Sequence, residues 1–194
     1  MRIAIAALLG AIVIFLWQFV SHMVLPIGVM GFRAPQNENV VLQAATSGLP
    51  ESGVYLLPYL APEKMKDSAA VQEWSARAQK NPSLFVVVSP ANTMVTDMAP
   101  ELIKQFVTNL LGALLVAFVL AATAWSFGMR VLGALAFGIF GWLLDIVPMW
   151  TWYKFPSDYV IGNLLDQGIG WLLAGIAMAW WLGRRRRATL PPAI

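Results

Sequence analysis

At 194 residues, 59% of them hydrophobic and only 12% charged, the chain has about half the charged share of an ordinary soluble domain. The formal net charge of +3 is no nucleic-acid signature, because four of the thirteen basic residues, Arg184–Arg187, stand together behind an apolar run. Cysteine is absent and His22 is the one histidine, which excludes disulfides, thiolate chemistry and multi-histidine metal or haem sites within a single chain.

Four runs reach the roughly 20 apolar residues needed to cross a bilayer: Ile3–Leu25, Leu102–Ser126, Val131–Trp150 and Val160–Gly183. The first is longer than a signal-peptide core and no small-x-small cleavage site follows it, so it reads as a retained helix. The polar segment Arg33–Met98 reads as a small α+β unit. Asn37 caps a helix through Thr46, and Gly48-Leu49-Pro50 stops it. Gly53–Leu57 and Leu84–Val88 are strands by their β-branched and aromatic content, and between them Asp67 or Ser68 opens a helix to about Gln79. So few elements make a marginal core, and the segment is expected to act as a cap on the bundle. Pro100 and Glu101 then open the second membrane helix.

Basic residues near span ends are Arg2, Arg130 and Arg184–Arg187, which an even number of spans places on one side. The positive-inside rule makes that side cytoplasmic. Trp150, Trp152, Tyr153 and Tyr159 mark the outer interface, and Trp125, Trp180 and Trp181 the inner one. The expected fold class is therefore an all-α membrane protein, a four-transmembrane-helix bundle with a small outward-facing α+β cap between helices 1 and 2. Its divisions are 1–32 (first helix and outer exit), 33–98 (extracytoplasmic cap), 99–183 (helices 2–4) and 184–194 (basic cytoplasmic tail). The expected location is a bacterial inner membrane with the cap in the periplasm. The end of the tail, Ala188–Ile194, carries Pro191-Pro192 and reads as mobile.

The polar residues within the spans are Gln18 and His22, Asn109, Asp145, and then Asn163, Asp166 and Gln167. At about 1.5 Å of rise per residue, His22, Asn109, Asp145 and Asp166 all lie roughly 6–10 Å below the outer surface. Helical spacing puts Asn109 on a face with Ala113, Ala117 and Ala121, and Asp145 with Ala134, Gly138 and Gly141. Asp166 stands over Gly170, Ala174 and Ala177, and His22 over Gln18, Ala11, Ala7 and Ala4. Small-residue faces are where membrane helices pack, so all four groups are expected to point inward as one polar cluster. As interhelical glue such groups fix register; as ionisable groups inside a membrane, Asp145 and Asp166 are also functional candidates.

The segments GWLLD, ending at Asp145, and GNLLDQ, containing Asp166, place two carboxylates at matching depth on adjacent antiparallel helices. This layout resembles signal peptidase II, an intramembrane aspartyl peptidase with four helices and both termini inside. The resemblance implies Asp145 and Asp166 as a catalytic pair sharing a proton, with Asn163 in support. It departs from that family at Gln167, where an arginine is expected, and its signature falls at the second aspartate rather than the first. The connectivity of one span, a strand-containing outer loop and three spans also resembles the claudin-like tetraspan arrangement, without that family's cysteine pattern.

No Gly-rich phosphate loop, nucleophile elbow or metal-spacing cluster occurs, and Met23, Met30, Met94 and Met98 have no ligand-like spacing. The expected function is a non-catalytic accessory or assembly subunit. Its partners are the lipid bilayer and other membrane-protein subunits or a second copy, with no cofactor, metal or nucleic acid. The alternatives are the aspartate-dyad hydrolase, and a proton- or metal-coupled permease or sensor using His22 with the two aspartates.

Overall fold

The computed structural model describes residues 1–89 and 97–187, so the readings of Met94 and of the tail from Ala188 onward lie outside the described residues. In chain order the elements are α1 (Arg2–Phe19), α2 (Glu38–Gly48), β1 (Gly53–Leu57), α3 (Ser68–Lys80), β2 (Leu84–Val88), α4 (Ala99–Ala122), α5 (Phe127–Gly141), α6 (Val147–Tyr153) and α7 (Ser157–Arg187). The described residues fall into two compact units, one of 1–32 with 97–187 and one of 33–89.

Four helices in the first unit are long and apolar enough to cross a membrane: Arg2–Val24, Ala99–Ala122, Phe127–Tyr153 and Ser157–Arg184. No more than 28% of any of these windows is buried inside the bundle, and what remains outside is apolar: Leu8, Ile12, Leu16 and Phe19 on α1, Leu111, Leu115 and Phe118 on α4. Water would not tolerate that much exposed apolar surface, whereas lipid matches it. The chain is a multi-pass membrane protein built as a helix bundle.

Two of the spans contain a π turn, Val20–Val24 after α1 and Trp142–Ile146 after α5. Each precedes a proline by two residues, Pro26 and Pro148. A proline ring cannot donate to the carbonyl four residues back and clashes with it, and widening the preceding turn accommodates both defects. At Pro26 the helix ends, with Leu25 in the extended conformation favoured before proline. At Pro148 the chain resumes as α6.

Within the bundle α1 packs on both α4 and α7, and α7 packs also on α5; α4 and α5 touch much less. The core is rich in small residues, with Ala6, Ala7, Ala11, Ala113, Ala117, Ala134 and Ala174 almost fully buried, packed with the equally buried Leu120, Met178 and Leu182. Large side chains fill holes left by glycines. A Cβ at Gly138 would lie 2.5 Å from Trp171 Cδ1, one at Gly170 2.9 Å from Trp17 Cδ1, and one at Gly10 2.9 Å from Met178 Sδ. Close approach of backbones and interdigitation of large with small residues supply the association energy that a hydrophobic effect cannot supply inside lipid. The segment after α1 folds back over the start of α7. Gly31 takes φ +88, and a Cβ there would lie 2.5 Å from Tyr159 Cβ.

In the 33–89 unit, β1 and β2 form an antiparallel pair in register from Gly53↔Val88 to Leu57↔Leu84. Asn37 caps α2 by accepting from the Val40 amide, and Asp67 caps α3 by accepting from the Ala69 and Ala70 amides. Trp74 of α3 donates to the Pro58 carbonyl at 3.0 Å, which fastens the helix to the end of β1.

Candidate functional site

The polar groups of the spans form a hydrogen-bonded seam across three helices. On α4, Gln105 Nε2 donates to Asn109 Oδ1 at 3.0 Å. Asn109 Nδ2 in turn donates to Gln18 Oε1 on α1 at 2.7 Å. One turn on, Ser21 Oγ donates to Asp166 Oδ1 on α7. Trp17 Nε1 donates to the Asp166 carbonyl at 2.9 Å. The seam thus joins α4 to α1 and α1 to α7, the packed pairs of that side of the bundle.

His22 belongs to the seam by its ring nitrogen. Its Nδ1 lies 3.0 Å from the Gln18 carbonyl and 2.9 Å from Ser21 Oγ. A carbonyl can only accept, and the one hydroxyl hydrogen of Ser21 is directed to Asp166, so Nδ1 carries the hydrogen. His22 itself is exposed and its ring lies over Gly28, where a Cβ would come within 2.4 Å of it. The inward direction expected for His22 is therefore corrected: Ser21, fully buried, takes the core-facing place at the π turn.

Asp145 requires a second correction. It is exposed, and it makes no hydrogen bond or ion pair among the described residues. Counting from Gly141 at 3.6 residues per turn brings Asp145 back onto the packed face. It lies in the π turn, though, where a turn takes about 4.4 residues, and the fifth residue, the partly buried Ile146, is the one that returns to that face.

The other expected residues divide between structural positions. Asn109 is buried above Ala113 and Ala117, as its face requires. Gln167 lies at the α5–α7 contact, its Oε1 3.4 Å from the Cβ position of Gly141. Asn163 Nδ2 donates to the Tyr159 carbonyl at 2.9 Å, one turn back in its own helix, and makes no hydrogen bond to another element among the described residues. Ser21, Gln105, Trp17 and Trp142 were not singled out from the sequence. Trp142 Nε1 donates to the Val160 carbonyl at 2.9 Å and ties the end of α5 to α7. A signal for Ser21 was present in its spacing, seven residues from Ile14 and three from Gln18 on the face of Ala7 and Ala11.

Replacing Asn109 with leucine is expected to cost about 0.6 kcal/mol, and no more than roughly 1.7, the range for interhelical hydrogen bonds within a membrane. Replacing Asn163 with leucine, whose bond is internal to α7, should cost less. Reversible unfolding in mixed micelles measures both; equal losses would show that the Asn109–Gln18 bridge contributes nothing.

Fold and seam together define a polytopic helix-bundle membrane protein in which polar side chains of α1, α4 and α7 and of the turn after α1 are hydrogen-bonded to one another. Comparison with protein-family models, with curated proteins and with solved structures finds no match to the chain.

Proposed function

We propose that this chain is a non-catalytic accessory or assembly subunit of a bacterial inner-membrane complex, with both termini cytoplasmic and the 33–89 unit in the periplasm as a partner-binding cap. The orientation follows from Arg2, Arg130 and Arg184–Arg187 sharing one end of the bundle. The observation that carries the subunit reading is the open face of the two-stranded sheet. Val54 and Val87, paired across the strands, are 62% and 65% exposed, and Leu56 on the same face is 42% exposed. An exposed apolar sheet face is a surface suited to another polypeptide.

The hydrolase reading has less support. Asp166 is engaged with Ser21, Asp145 faces outward, and no hydrogen bond joins the two carboxyls. For metal coupling, no group of three or more His, Asp or Glu side chains among the described residues is gathered so as to hold an ion. The hydrogen-bonded sequence His22–Ser21–Asp166 does favour a second reading, a proton-linked sensor, since it joins an exposed imidazole to a carboxyl inside the bundle.

The deciding experiment is native electrophoresis of the tagged chain, extracted from its own membranes in mild detergent. It should migrate as a defined assembly larger than one chain. The double substitution Val54→Lys with Val87→Lys should release it to its own size without loss of the bundle. A wild-type chain that is already alone after such extraction is incompatible with the subunit reading.

A further inference from the structure

The end of the bundle remote from the seam, roughly 25 Å away along α1 and α7, carries charge of one sign. No Asp or Glu occurs in 1–37, 102–144 or 167–194, so the residues of this end hold Arg2, Arg130 and Arg184–Arg187 with no carboxylate side chain among them. Arg2 and Arg184, with Met1, Ile5 and Trp181, line a cavity of about 270 Å³ between the start of α1 and the end of α7.

The walls of this cavity are held in place. Trp181 Nε1 donates to the Arg2 carbonyl at 3.2 Å, joining the two helix ends. The Arg184 guanidinium lies 3.8 Å from the centre of the Trp180 ring and 5.8 Å from that of Trp181. Stacking uses the flat face of a guanidinium and leaves its N–H edge to donate. Arg2 Nε is enclosed with no hydrogen-bond partner among the described residues. An enclosed charged donor with no acceptor among the described residues is costly, which favours an anion brought to this guanidinium.

We propose that this cavity binds the phosphate of an anionic phospholipid, with Arg2 and Arg184 donating to its oxygens. Guanidinium donors match phosphate oxygens in geometry and charge. A lipid suits the site better than a free ion because the other lining side chains are apolar, and the exposed Leu8 and Ile12 share the α1 face of Met1 and Ile5 at helical spacing, offering apolar surface for acyl chains. A net-negative headgroup suits it better than a zwitterionic one, whose ammonium would meet two arginines with no carboxylate to receive it.

The probe is dioctanoyl phosphatidylglycerol, offered to the purified full chain in detergent alongside dioctanoyl phosphatidylcholine and counted as retained lipid by native mass spectrometry. Phosphatidylglycerol should be retained at least tenfold better. Arg2→Gln with Arg184→Gln should weaken its binding by about thirtyfold, roughly fivefold for each guanidinium. Lys104→Gln, on α4, should leave it unchanged. Arg184→Gln alone, on an exposed side chain, keeps the test open if the double variant does not fold. Equal retention of the two lipids overturns the proposal, as does undiminished binding to the double variant. Displacement of the lipid by millimolar inorganic phosphate would reassign the site to the free ion and remove the lipid from it.

Discussion

Substituting Gly175 with alanine is expected to destabilise the bundle by about 1–3 kcal/mol, the usual range for overpacking a tight core. Leucine at the same position should prevent assembly of α5 on α7. A Cβ at Gly175 would lie 2.7 Å from Ala134 Cβ, 3.2 Å from the Val131 carbonyl oxygen and 3.4 Å from Val131 Cα. Carbon atoms rest best at about 3.5–4.0 Å, and neither a methyl on a helix nor a backbone can turn aside. The helices must part instead, and Trp171, seated at Gly138 on the same interface, would lose its fit with them. In water the helix propensity of alanine would return up to about 1 kcal/mol. That gain is small here, because a span in lipid stays helical whether or not it is packed. Two comparisons make the prediction specific. Gly183→Ala, on the same helix with nothing within 4 Å of its Cβ position, should leave the unfolding midpoint in detergent unchanged. Ala134→Gly, added to Gly175→Ala, should recover much of the loss by removing the nearest obstructing carbon. If Gly175→Ala and Gly183→Ala behave alike, the interface is not as close as described.

Much of this architecture is legible in the sequence because local chemistry decides it. GVYLL and LFVVV form strands at the positions where β-branched content and flanking Gly or Pro place them, and Asn37 and Asp67 cap helices with their own side chains. The apolar runs are long enough to identify the spans directly. The site was legible only in part. Small-residue faces correctly turned Asn109 and Asp166 toward other helices. The π turns are not encoded by any single residue type. They follow from how a proline-bearing helix is accommodated, and each slips the register by enough to move the next side chain off the face that a fixed period assigns it. His22 and Asp145, the two residues taken inward by periodicity and found exposed, both lie in such turns. Ser21 is inconspicuous in the sequence for a different reason. A serine in an apolar run carries no charge to mark it, and its importance comes only from the carboxyl on another helix that it meets.

Ser21 and Asp166 should behave as a coupled pair, while Asp145 should be indifferent. Ser21→Ala removes the donor to Asp166 Oδ1 and one of the two acceptors around His22 Nδ1, so it is expected to cost up to roughly 1.7 kcal/mol, the upper end for an interhelical hydrogen bond within a membrane. Asp166→Ala should cost a similar amount while keeping the Trp17 bond, which goes to the Asp166 main-chain carbonyl. The double variant should lose little more than either single one, because each single change already leaves the other group without its partner. Asp145→Asn, at an exposed position with no hydrogen bond among the described residues, should stay within about 0.5 kcal/mol of the parent. Unfolding free energies in mixed micelles give all four values and close the cycle. Additive losses at Ser21 and Asp166 would mean that their contact carries no energy and that the seam does not hold α1 to α7. A coupled pair together with a silent Asp145 would place the two aspartates in different roles: one binds helices together, and the other faces outward, where no donor or second carboxyl of the described chain engages it.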